Sequence, residues 1–236
     1  QHGPQVVGLG MATLDVLLRL REMPTWERGT RLSDFGFDGG GPCGTAIVAA
    51  AKLGVRAGFL GSAGNDLPAE MKLRSFVDAG VDLSRLVRRE VPEDQIIIVH
   101  VHEETGERLF SGVSRPGDTK VRPEELDRDY ITAADVLHLD GHHLEAAMTA
   151  AAWMQAAGKP VVMDGSKTDR PVSPERRALV ERVDVLISGS GFAENLTGEA
   201  ELWDALDAVL AVGPSIAVQT EGERGSYCVA RGDVLG

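Results

Sequence analysis

The sequence predicts an α/β fold: a three-layer sandwich with a mostly parallel central sheet, helices on both faces, and a small additional β-sheet. Three observations point there. Short β-branched and apolar runs alternate with alanine-rich stretches of helical length, which is the rhythm of successive βαβ crossovers. The connections between these runs are short, so strands that follow one another lie side by side and run parallel. Two extended pairs, near residues 15–37 and 94–113, interrupt the rhythm, and strands outside the crossover pattern suit a side sheet that covers the strand ends as a lid. All of residues 1–236 are read as one domain, a length at which a sizeable core is readily buried.

The elements follow in order. "QVVGLG" is a buried strand, and "LDVLLRL" and "TRLSDFGF" form a strand pair around a proline-containing turn. Residues 42–53 make a small, apolar helix, "RAGFLG" a strand, and "PAEMKLRSFVDAGV" a second helix stopped by Gly80. "DQIIIVHVHEETGERLFSGV" reads as a hairpin around a glycine turn. Then "DVLHLDG", "KPVVMDG", "DVLISG" and "PSIAVQTEG" are strands, separated by helices at "LEAAMTAAAWMQAAG", "SPERRALVERV" and "ELWDALDAVLAVG". Trp153 and Trp203 fall on apolar helix faces and are expected in the core.

Composition narrows the function. Acidic residues outnumber basic ones 36 to 24, giving a net charge of −12, so a nucleic-acid partner is disfavoured and a small molecule favoured. The two cysteines, Cys43 and Cys228, build no disulfide framework, which suits the cytoplasm. No apolar run reaches the roughly 18 residues of a membrane span, and "QHGPQVVGLG" has no basic segment leading into an apolar one, so neither a membrane nor an export leader is expected.

The chemistry centres on Gly39-Gly40-Gly41 ahead of the first helix. Glycines there let a ligand approach the backbone, and the helix start offers free N–H groups. Asp15 lies just past the first strand, at the carboxyl end where α/β sheets bind ligands. A carboxylate and a close backbone approach suit a sugar, although a simple turn would explain the glycines as well. Asp140 and Asp164 also end strands; Asp140 is read as lining the pocket, Asp164 equally as a turn residue. Arg108 can lean over a phosphate or an anionic sugar, and Cys43 at the helix start can have a lowered pKa. The cluster His138, Asp140, His142 and His143 lacks a distant third group, so no metal site is expected. "GLGMAT" opens like a dinucleotide fingerprint, but its third glycine is Thr13 and a strand follows; an NAD-binding oxidoreductase would need a helix at residues 14–20.

Taken together, Asp15, a glycine pair opening a helix that ends in "KLG", then "FLGSAGND", "AGVDLSRL", "TGERLF", "GKPVVMD", "NLTG" and "VQTEGERGS" resemble the PfkB or ribokinase-like family of sugar and nucleoside kinases. The resemblance runs in order along essentially the whole chain. It implies ATP-dependent phosphorylation of a sugar hydroxyl with Mg2+, and a β-sheet lid that often pairs between subunits as a homodimer. It places Asp15, Gly40, Gly41 and Thr45 on the sugar, with Thr45 where the family has asparagine, and Thr220, Gly222 and Gly225 beside the nucleotide.

Two departures matter. The family's Asn-x-x-Glu falls on Gly189-Ser190-Gly191-Phe192, with Glu194 two residues further on, a change that resembles the ketohexokinase-like and sulfofructose-kinase-like branch. The family's Gly-Ala-Gly-Asp run, which carries the general base, occurs nowhere in residues 1–236, so the base is expected beyond Gly236 and the C-terminal part of the fold is expected to be missing. A sugar-binding or regulatory relative without catalysis remains the alternative.

Overall fold

The computed structural model describes residues 3–113 and 119–232. The chain enters on β1 (Val6–Leu9) and passes through Gly10-Met11-Ala12 into β2 (Thr13–Leu20), which pairs antiparallel with β3 (Leu32–Gly40). Then come α1 (Pro42–Lys52), β4 (Ala57–Leu60), β5 (Ser62–Ala63), α2 (Leu67–Asp78), β6 (Val87–Arg88), β7 (Ile96–His102) and β8 (Arg108–Gly112). The second half runs α3 (Arg128–Ala133), β9 (Val136–Leu139), α4 (Leu144–Ala156), β10 (Val161–Ser166), α5 (Pro174–Val180), β11 (Val185–Gly189), α6 (Phe192–Thr197), α7 (Leu202–Val212), β12 (Ile216–Thr220) and β13 (Ser226–Ala230).

The central sheet has the order β13-β12-β11-β10-β9-β1-β4, parallel throughout except for β13, which turns back on β12. A fully buried parallel strand needs apolar residues on both faces, and β1 shows this with Val7 and Leu9 closed to solvent on one face and Val6 and Gly8 packed toward α1 on the other. One face packs against α3 to α7 in a core that includes Leu137, Leu139, Met154, Met163, Leu186 and Phe192. The other carries α1 and α2, which pack Cys43, Ile47, Leu73 and Phe76 against Phe59. On that second side Ile187 of β11 is 42% exposed.

The two extended pairs do not stand apart. They join through a parallel β2–β7 rung into one four-stranded sheet, β3-β2-β7-β8, over the end of the central sheet. The strand at residues 13–20 removes the helix that the dinucleotide-binding alternative required. Trp203 corrects another expectation: it is 54% exposed, in the first turn of α7, with its ring edge on Tyr227 of β13 at a centroid distance of 5.4 Å. Trp153 packs half-buried against the core.

The small sheet is rooted in the main body by buried charge. Lys72 of α2 and Glu93, just before β7, pair at 2.6 Å with side chains 0% and 1% exposed. Glu93 also accepts the N–H groups of Gly64, Asp94 and Gln95, and Lys72 also donates to the Ser62 carbonyl at 2.9 Å, so each ion has hydrogen bonds beyond the pair itself. Burial holds the Lys72 amine below its usual range, against the opposing pull of Glu93. Asp66 accepts from Ala69 N–H at the start of α2 and from Glu93 N–H, tying the helix cap to the same root.

Candidate sugar and nucleotide site

Asp15 sits on β2, two residues past Thr13, and only Gly10-Met11-Ala12 separate that strand from β1, so it lies over the carboxyl end of the central sheet. Its Oδ1 accepts the Thr13 hydroxyl at 2.6 Å, which orients the carboxylate. Thr13 is opposite Gly40 in the ladder, and a Cβ on Gly40 would lie 2.3 Å from Asp15 Oδ2. Only glycine leaves that oxygen its place. Gly41 has φ +87°, and a Cβ there would meet the Met11 carbonyl at 2.5 Å, so the chain can turn into α1 only through glycine. Asp15, Gly40 and Gly41 are thus brought together. Thr13, which sequence reading treated only as a failed third glycine, belongs with them; its spacing of two from Asp15 on a strand was the available signal.

Thr45 projects from the first turn of α1 into a cavity of about 220 Å³ that it shares with Asp38, Gly40, Lys52, Ser75 and Phe76. Arg108 is placed elsewhere. It pairs with Val101, which also pairs with Arg19, at the far end of the small sheet, and it borders a cavity of about 450 Å³ with Leu20, Met23, His100, His102 and Leu109.

Asp140 is 5% exposed and faces the backbone. One oxygen accepts the N–H groups of Met11 at 2.8 Å and Cys43 at 3.2 Å; the other accepts that of His142 at 2.8 Å. It pins the loops leaving β1 and β9 to the start of α1, and burial raises its pKa despite these bonds. Arg176 supports the same place from α5, donating to the carbonyls of Asp140 at 3.3 Å and Gly165 at 3.2 Å. Cys43 corrects an expectation: burial, reinforced by Asp140 and Asp164, pushes its thiol well up, so the helix start does not activate it. His142 and His143 are held neutral by burial, with pKa values lowered to about 4 and about 3; positive neighbours Lys120 and Lys72 add to the effect.

At the other end of the strand row, the turn after β12 closes with Glu221 N–H on the Gly225 carbonyl at 2.8 Å. Gly222 and Gly225 have φ of +58° and +88° and open space where a side chain would stand, and the Thr220 hydroxyl donates to the Ser188 carbonyl at 3.3 Å. A bare, exposed backbone turn at the carboxyl edge fits a nucleotide. For magnesium the fit is poor: Glu194 and Glu221 both accept from Gln219 Nε2 at 2.9 Å, so Glu194 points into the fold and does not replace the missing motif glutamate. Among the described residues no group of three or more His, Cys, Asp or Glu side chains converges to hold a metal, and no helix is long and apolar enough to cross a membrane.

This arrangement, a parallel sheet capped by a small sheet that carries the acceptor carboxylate, is the ribokinase-like fold. The structure superposes on Arabidopsis thaliana ribokinase complexed with ribose and ATP with a TM-score of 0.80 at 18% identity, covering 98% of this chain and 76% of that one. A fructokinase from Xylella fastidiosa gives 0.78 at 22% identity, covering 96% and 76%. The chain belongs to the PfkB family: the model of "pfkB family carbohydrate kinase" matches residues 6–236. Relatives include a 5-dehydro-2-deoxygluconokinase of Shouchella clausii, 29% identical over 96% of this chain and 74% of the relative. An ATP-dependent ribose-1-phosphate kinase of Halopiger xanaduensis is 29% identical over 68% of this chain and 53% of its own length.

Proposed function

We propose that the protein takes part in ATP-dependent phosphorylation of a sugar hydroxyl, of the ketose type, in the cytoplasm. The observation that carries this reading is the Thr13–Asp15 pair set against Gly40 over the carboxyl end of β1, in a chain of the PfkB family. Asp15, Gly40, Gly41 and Thr45 position the sugar. Thr220, Gly222 and Gly225 border the adenine nucleotide; magnesium would offset the charge of its phosphates there, and no described side chain is assigned to hold it. The γ-phosphoryl group passes to the sugar hydroxyl in line as a base removes the proton. No described residue is assigned as that base. Asp140 acts by bracing the loops beneath the sugar, and Arg108 acts at the rim.

The small sheet serves as the lid. It excludes water from the transfer and so suppresses hydrolysis of ATP. Its outer surface, with Phe35 64%, Phe37 53% and Leu109 56% exposed, is where a homodimer would form.

The test is ATP consumption with fructose, ribose, nucleosides and sulfonated sugars, alongside direct sugar binding. Turnover with one sugar that Asp15→Asn reduces at least a hundredfold supports the kinase. A second reading, sugar binding without catalysis, is favoured by Gly189 and Phe192 in the Asn-x-x-Glu positions and by the engagement of Glu194 with Gln219. It requires tight sugar binding with no ATP turnover.

A further inference from the structure

Gln219 holds two loops at once from inside the fold. It is 0% exposed, on β12 opposite Ser188 of β11. Its Oε1 accepts the Ala193 N–H at 2.9 Å, with the Ser188 hydroxyl 3.5 Å away. Ala193 lies in the first turn of α6, whose N-cap, Gly191, has no side chain to accept a free N–H there, and Gln219 does so from the neighbouring strand. That bond orients the amide, since only its oxygen can accept. The Nε2 group is thereby turned the other way, where it donates to Glu194 Oε2 and Glu221 Oε1, each at 2.9 Å. Both ends of the buried amide are satisfied, which fixes its geometry.

Glu221 opens the turn that leads from β12 to β13. Its side chain is 4% exposed, although residues 222–225 beside it all face solvent. Little else holds that turn. No atom lies within 4 Å of where a Cβ would stand on Gly222 or Gly225, so packing does not restrain them. The backbone bonds, Glu221 N–H to the Gly225 carbonyl and Gly225 N–H to the Gly222 carbonyl, are internal to the turn. The bond from Arg224 to Glu221 Oε2 is internal as well. Two hydroxyl bonds, Ser190 to the Thr220 carbonyl and Thr220 to the Ser188 carbonyl, fix the strand end and stop at Thr220. Among the described residues, the Gln219 amide makes the only hydrogen bond that reaches residues 221–225 from outside the turn.

A turn built on two unpacked glycines loses much conformational freedom when a ligand settles on its backbone, and a tether that orders it beforehand lowers that cost. Resting on the sugar-kinase reading above, in which this turn borders the nucleotide, we propose that Gln219 is a positioning residue for nucleotide binding. Through Glu221 it sets the backbone of Gly222 to Gly225, and through Ala193 it sets the start of α6 and the loop before it. The two loops therefore meet one nucleotide in a fixed relation, while Gln219 itself touches no substrate.

The test is calorimetric titration of the full chain with ADP and Mg2+. Gln219→Leu should raise the ADP dissociation constant about tenfold. Glu221→Ala should do the same, and the double variant should bind no more weakly than either alone, because both changes break one tether. A merely structural role predicts instead that any substitution of similar cost to stability weakens ADP alike. Asp66→Ala, at the start of α2, supplies that comparison and should leave ADP affinity within about twofold of the unaltered chain. Should Gln219→Leu not fold, Glu221→Ala decides, since its site is the exposed turn itself. Unchanged ADP affinity in Glu221→Ala, additive losses in the double variant, or an equal loss in Asp66→Ala overturns the proposal and leaves the kinase reading intact. Failure of the unaltered chain to bind ADP overturns the kinase reading, and the proposal with it.

Discussion

Asp15 and Gly40 meet so closely across the β2–β3 ladder that a methyl group on Gly40 would lie 2.3 Å from Asp15 Oδ2. Gly40→Ala should therefore displace the carboxylate and raise the sugar Kd tenfold or more, with nucleotide affinity unchanged. Gly40 has no positive φ, so the fold should tolerate the change. Gly41→Ala is different: its φ of +87° and the 2.5 Å approach to Met11 O predict a stability loss of about 2 kcal/mol or more. Comparing denaturation midpoints with sugar titrations separates the two glycines.

The Lys72–Glu93 pair has no solvent to fall back on. Glu93→Gln or Lys72→Met leaves one buried ion uncompensated and should cost about 3–5 kcal/mol. The double substitution Lys72→Met with Glu93→Gln should recover part of the loss, since no lone charge is left behind. Equilibrium urea unfolding of the three variants measures this; a loss under 1 kcal/mol in both single variants would mean that water reaches the pair.

Stability should fall with acid because of His143. Its folded pKa of about 3 lies below the ordinary histidine value, so between these limits the unfolded chain binds the proton and the folded one does not. Unfolding free energy therefore rises with pH across that window and is lost as pH falls from about 6.5. From pH 7 to pH 5 this one group should remove about 2 kcal/mol. His143→Gln should flatten the acid limb by that amount, read from denaturation at the two pH values.

Asp66 caps α2 and also receives Glu93 N–H, at 3.2 Å. Asp66→Ala should cost about 1–2 kcal/mol, at the upper end for a cap because a second donor is stranded. Hydrogen exchange should show the loosening at the start of α2 and at residues 93–95 together; loosening of α2 alone would dissociate the cap from the root of the small sheet.

The crossover rhythm made the central sheet legible, because long apolar strands and alanine-rich helices carry a strong periodic signal. The small sheet was legible as two strand pairs, but not the parallel β2–β7 rung that joins them, since pairing between distant segments leaves no local trace. The short elements β5, β6, α3 and α6 were missed for lack of length. Asp15, Gly40 and Gly41, which the fold brings together, were singled out from type and position. The pairing of Asp15 with Asp38 was not legible, because only the register shows it. Asp140 looked like a pocket residue at a strand end; two of its three backbone bonds, from Met11 and Cys43, come from segments distant in sequence.

Between Leu9, fixed in the central sheet, and Thr13, the first residue of the small one, there are only Gly10, Met11 and Ala12. The carboxylate proposed to recognise the sugar is therefore mounted on the cover and not on the floor. Any tilt of the cover carries Asp15 with it, so on the function proposed above gripping the sugar and shutting the site are a single mechanical event. A measured sugar affinity is then diluted by the fraction of molecules whose cover is in the gripping position. Substitutions at the hinge should consequently masquerade as changes in sugar recognition while touching no sugar at all.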